Sequence, residues 1–167
     1  MVIDTGTEKG VRVDARLREE LVAWLVTVDA GGTPVPTPVW FWWDGETLLL
    51  YSQRDKPKLR HIGANPRVAL AMRTDEHGDA LVVITGEAAV DESAPPPDQV
   101  PEYIEKYRGE IARLGSDVPG FAGEYSVAVR IRPVRIRACS ASDSRPARLW
   151  SVLTSQHRPR PRRERVR

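Results

Sequence analysis

The chain has 167 residues, 41% of them hydrophobic and 29% charged, a balance that fits one soluble globular domain and excludes fibrous and membrane-embedded classes. Its net charge of +2 is unevenly spread, since eight arginines against Glu164 alone leave residues 144–167 at +7 and residues 1–143 at −5. No window holds the ~20 apolar residues of a spanning helix, and Asp4, Glu8 and Lys9 deny the N-terminus the apolar core of a signal peptide, so a cytoplasmic protein with no membrane partner is expected.

Residues 1–13 read as a flexible N-terminus. Asp14 is placed to cap a helix whose Leu17, Leu21, Trp24 and Leu25 recur at near-helical spacing. An extended run begins at residues 26–28 and breaks at the turn chemistry of residues 29–32. A second strand, residues 37–43, meets the hairpin signal Asp44-Gly45, and residues 47–52 return as a third. Pro57 suits the first turn of a short helix carrying Leu59 and Ile62, which Gly63 and Pro66 end.

Residues 67–73 and 81–90 read as the fourth and fifth strands, separated by a polar loop at 74–79. After Pro95, Pro96 and Pro97, the stripe Tyr103, Ile104, Tyr107, Ile111 and Leu114 predicts a long amphipathic helix. In the final strand the apolar set Val127, Val129, Ile131 switches parity to Val134 and Ile136 after Pro133, so a bulge or break there keeps the arginines on one face. Six antiparallel strands with two to three helices predict a mainly β domain over residues 14–140, closed into a barrel that removes sheet edges. Residues 141–167 read as a basic, disordered tail, and Cys139, the only cysteine, as a small buried side chain.

The sequence contains no GxxxxGK[ST] phosphate loop, no GxGxxG after a strand, no HExxH and no GxSxG. His61, His77 and His157 lack metal-ligand spacing, so no metal is expected. What stands out is the aromatic run Trp40-Phe41-Trp42-Trp43 one hairpin before Arg54, Lys56, Lys58, Arg60 and Arg67. Trp40 and Trp42 share one face and Phe41 and Trp43 the other, so at least one pair lies outside the barrel core. Two readings are open. The tryptophans fill a core or dimer interface beside a solvated basic helix face, or rings and cations together hold a planar heterocycle that carries phosphate.

The stretches TPVWFWWDG (37–45), LYS (50–52) and KLRHIGANP (58–66), with Ile84-Thr-Gly86 and the last Val-Arg-Ile strand, resemble the pyridoxamine phosphate oxidase-like flavin-binding split barrels. Within them the resemblance is to the actinobacterial branch of deazaflavin (coenzyme F-420) dependent oxidoreductases, over roughly residues 14 to 139. It implies a six-stranded antiparallel split β-barrel and a homodimer with the cofactor site at the interface, completed by the partner's long helix or final strand. It also implies F-420, with FMN as the alternative cofactor, and hydride transfer to an unsaturated small molecule with no dedicated catalytic acid or base. The backbone around Thr37, Pro38, Val39 and Trp40 would lie along the tricyclic ring, and Tyr51, Ser52 and Gln53 would approach its polar edge and ribityl chain. Lys56 and Lys58 would hold the phosphate, Lys58 standing eight residues before Pro66 as the family's phosphate lysine does. The arginine that opens the second-strand motif in pyridoxamine phosphate oxidase is replaced by Thr37 or Pro38, so vitamin B6 oxidation is not implied. A non-enzymatic flavin or haem binder of the same fold remains the alternative, whereas a nucleic-acid module is disfavoured by the acidic body.

Overall fold

The computed structural model describes Ile3, residues 5–74 and residues 81–138. Cys139, His77, His157, the tail from residue 141 and all of the expected polar loop but Thr74 lie outside the described residues. The first helix, α1 (Glu8–Glu19), starts earlier than expected, because the Thr7 hydroxyl accepts the Gly10 N–H at 3.0 Å and supplies the cap. This corrects the Asp14 cap, and residues 8–13 of the stretch read as flexible are helical. Asp14 stands mid-helix instead, accepting Trp43 Nε1–H at 2.8 Å and pairing with Arg18 at 2.8 Å. Trp24 and Leu25 leave the helix for β1 (Ala23–Val28), where Ala23 and Leu25 are sealed and Trp24 is 50% exposed. That period-two alternation is a strand's, and the near-helical spacing of the leucines masks it.

Six further strands follow: β2 (Pro34–Val39), β3 (Trp42–Trp43), β4 (Leu48–Ser52), β5 (Arg67–Met72), β6 (Val82–Val90) and β7 (Val127–Ala138). They form one antiparallel sheet in the order β2-β1-β5-β6-β7-β4-β3. Inward residues from every strand, among them Leu25, Val39, Trp43, Leu50, Leu70, Ile84 and Val129, share one core with Leu17 of α1 and Ile62 of α2 (Pro57–Ala64). The sheet therefore curls around that core as a half-barrel split between edge strands β2 and β3. Pro34, Pro36 and Pro38 alternate along β2, which an edge strand tolerates because their missing N–H groups face away from the ladder.

The strand expected over residues 37–43 is two strands, because Phe41 takes its backbone partners from α3 (Pro101–Arg113) and not from a neighbouring strand. Its N–H donates to the Tyr107 hydroxyl at 2.8 Å, and its carbonyl lies 3.0 Å from Lys106 Nζ and 2.8 Å from that hydroxyl. Seven strands thus replace the expected six. The bulge at Pro133 is present: Gly86 pairs with Pro133 and Thr85 with Arg135, leaving Val134 extra and 64% exposed. Gly86 is required there, since a Cβ would come within 2.4 Å of the Arg132 carbonyl oxygen. A 3-10 turn (Pro97–Gln99) precedes α3, and a fourth helix, α4 (Val118–Glu124), follows it. Together α3 and α4 cover the outer face of β4 through Tyr103, Ile104, Tyr107, Ile111 and Phe121. No described helix is long and apolar enough to cross a membrane.

Candidate functional site

The site lies where the β2–β3 break, the outer face of β4, the start of α2 and the α3–α4 pair converge. Pro38, Val39, Trp40, Tyr51 and Lys58 line a cleft of about 260 Å³ with Tyr103, Arg113, Leu114, Phe121 and Tyr125. Its walls are aromatic. Trp40 stacks on Phe121 at 5.6 Å, Phe121 on Tyr125 at 4.5 Å, and Tyr51 meets Tyr103 edge-on at 5.0 Å. Such walls suit a planar ring, whose faces and edges they can match.

Lys58 sits in the second position of α2, half-buried, and makes no hydrogen bond or ion pair with any described residue. Burial first, and then the positive charge of Lys56, lower the pKa of its ammonium. A cation withdrawn from water without a counter-ion costs free energy that an incoming anion would recover. Lys56 is the exposed residue that starts the helix, and no side chain caps the N–H groups there, so partial positive charge adds to both lysines. The residues present therefore fit an aromatic ring system carrying phosphate.

Five of the nine residues expected at the site meet at this cleft; Thr37, Ser52, Gln53 and Lys56 do not line it. Thr37 pairs with Leu25 and alternates away from Pro38. Ser52 is fully buried and donates to the Gln53 carbonyl at 2.9 Å. The Gln53 amide donates to the Glu124 carboxylate of α4, and Arg54 Nε donates to Ser126 at 3.2 Å, so this loop is tied to the α4–β7 corner. Tyr51 donates to the Pro95 carbonyl at 2.7 Å, and its pKa is pushed up to about 12, chiefly by burial.

Arg113, Phe121 and Tyr125 were not anticipated at the site, and Tyr103 was read only as part of a helix stripe. The signal for α4 was present in Asp117, whose carboxylate accepts the Gly120 N–H at 2.8 Å. A seven-residue helix holding Pro119, Gly120 and Gly123 has no periodic pattern to reveal it.

The family model described as "Pyridoxamine 5'-phosphate oxidase" matches residues 12–139, and the chain belongs to that family. No curated protein matches the chain in sequence. Among solved structures, a candidate pyridoxamine 5'-phosphate oxidase from Listeria innocua is 25% identical, with a TM-score of 0.58 over 77% of this chain and 95% of that one. An F-420 reductase is also 25% identical, with a TM-score of 0.56 over 74% of this chain and 94% of that one. The haem storage protein HutZ from Vibrio cholerae, 18% identical with a TM-score of 0.56 over 83% of this chain and 96% of that one, shares the fold alone.

Proposed function

We propose that this member of the pyridoxamine 5'-phosphate oxidase family is a homodimeric, F-420-dependent oxidoreductase that transfers hydride between reduced deazaflavin and a small unsaturated substrate. The observation that carries the reading is Lys58, a half-buried ammonium with no counter-ion among the described residues, in the lining of an aromatic cleft. Similarity to the F-420 reductase favours deazaflavin. FMN is the second reading, because Lys58 and Lys56 serve either phosphate.

The bound cofactor would supply the hydride chemistry, and the chain supplies position and a dry setting. Lys58, assisted by Lys56 and the open end of α2, holds the phosphate. Pro38, Val39 and Trp40 form one side of the place for the ring, while Tyr51, Tyr103 and Phe121 keep water out of it.

A second copy is part of the reading. The cleft volume of about 260 Å³ falls below the ~300–1,000 Å³ usual for ligand pockets, so one chain encloses too little. The outward face of the sheet carries Trp24, Val26 and Val28 opposite Pro38, Pro36 and Pro34, with Ala71 and Ala69 beside them. Trp24 at 50% exposure is the kind of apolar surface a partner covers. Pro38 belongs both to that face and to the cleft, so a copy seated there closes the cavity.

Fluorescence titration with F-420, absorbance titration with FMN, and turnover of reduced F-420 against quinones and enones test the proposal together. Saturable F-420 binding in the micromolar range or tighter, with turnover, is the expected result. Saturation by neither cofactor contradicts the reading.

A further inference from the structure

Tyr51, Tyr103 and Tyr107 belong to one buried aromatic cluster, yet their hydroxyls are placed differently. Tyr51 donates to the Pro95 carbonyl at 2.7 Å, and the Tyr107 hydroxyl lies 2.8 Å from the Phe41 N–H and from the Leu21 carbonyl. Tyr103 is 1% exposed, and its hydroxyl has no hydrogen-bond partner among the described residues. No fully buried side-chain polar atom among those residues lacks a partner, so the little surface Tyr103 keeps includes its hydroxyl. Tyr103 is among the residues that line the cleft with Lys58.

The other side chains expected to meet the ring's polar edge are committed elsewhere: Ser52 to the Gln53 carbonyl, Gln53 to Glu124 and Tyr51 to Pro95. We infer that Tyr103 determines specificity in the cleft, its hydroxyl donating a hydrogen bond to a carbonyl oxygen on the polar edge of the planar heterocycle bound there. This rests on the cofactor reading above. Burial foremost, with Tyr107, Tyr51 and Tyr125 adding to it, raises the Tyr103 pKa well above the ordinary phenol value. The hydroxyl therefore keeps its proton at neutral pH and donates. Tyr51 packs edge-on at 5.0 Å, Tyr107 lies at 4.8 Å and Phe121 at 6.3 Å, so the donor is held in place before the ligand arrives. A ligand without an acceptor there leaves a desolvated hydroxyl unpaired, and is selected against for that reason.

The test compares wild type, Tyr103→Phe and Lys58→Ala in titrations with F-420 and with its deazaflavin chromophore lacking the phosphate, beside thermal melts without ligand. Tyr103→Phe is expected to weaken both probes about three- to tenfold. Lys58→Ala is expected to weaken only the phosphate-bearing one. The ligand-free melting temperature of Tyr103→Phe is expected within about 2 °C of wild type, because the hydroxyl bonds none of the described residues. Unchanged affinity in Tyr103→Phe, or a larger fall in its ligand-free melting temperature, overturns the assignment. Loss of F-420 affinity confined to Lys58→Ala overturns Tyr103 alone, whereas wild type binding neither probe removes the cofactor reading and this inference with it.

Discussion

The indole of Trp40 lies flat on the ring of Tyr107, with 4.7 Å between ring centroids and 3° between their planes. One half of the aromatic face that strand alternation leaves outside the core is thus covered by the chain's own α3. The same tyrosine takes over the backbone of Phe41, so a single helix residue both splits the second strand and fixes one wall of the cleft.

Tyr107→Phe keeps the stacked ring but strips the hydroxyl that serves Phe41 and Leu21. Leaving a buried N–H without its acceptor costs about 1–3 kcal/mol. Urea unfolding followed by tryptophan fluorescence is expected to show that loss with an unchanged denaturant slope. A cost below about 0.5 kcal/mol would mean that the break between β2 and β3 is held by packing alone.

Trp24→Lys puts a charge in the middle of the outward face proposed as the dimer contact, while the inward neighbours Ala23 and Leu25 stay sealed. Sedimentation is expected to give wild type at about twice the 18.7 kDa chain mass, and the variant at the chain mass with an intact fold. Cofactor affinity should fall with the dimer. A variant that stays dimeric places the contact elsewhere.

Asp91 is held at about 2 by hydrogen bonds from Ser93 and from the Arg130 guanidinium, the latter at 2.7 Å. Arg130 also reaches Thr47 at 2.9 Å and Asp44 at 3.4 Å, so it ties the β3–β4 hairpin to the end of β6. A carboxylate whose folded pKa is depressed contributes stability that is complete above its unfolded pKa near ~4 and lost as pH falls toward the folded value. Asp91→Asn should therefore lower stability at pH 7 by about 0.5–1 kcal/mol, since solvent screens this surface ion pair, with the difference from wild type shrinking between about pH 4 and pH 2. A difference that persists unchanged at pH 2 would assign the loss to geometry and not to charge.

Much of this architecture was legible where local chemistry and tertiary context agree. Asp44-Gly45 specified its hairpin because Gly45 takes φ 99° and the Asp44 carboxylate accepts the Glu46 and Thr47 N–H groups. The parity switch at Pro133 specified the bulge. Asp14 misled because a good capping residue is also a good hydrogen-bond acceptor, and Trp43 comes to it from a distant strand. The β2–β3 break was not legible, since its cause is a tyrosine 66 residues away in sequence. Lys58 and the Pro38–Trp40 segment, singled out by pattern and resemblance, line the cleft. The hydrogen bonds that occupy Ser52 and Gln53 and leave Tyr103 open depend on packing that no local pattern encodes.

Lys58 as the proposed anchor of a cofactor phosphate is tested most directly by a salt-dependent titration of F-420 against wild type, Lys58→Ala and Lys58→Arg. A charge-assisted hydrogen bond of about 1.5–3 kcal/mol predicts that Lys58→Ala weakens binding ten- to a hundredfold, with the fold intact. Lys58→Arg, which keeps the charge and changes the donor geometry, should retain part of the affinity, and added salt should narrow the gap between wild type and Lys58→Ala. Unchanged affinity in Lys58→Ala at low salt would remove Lys58 as the phosphate anchor.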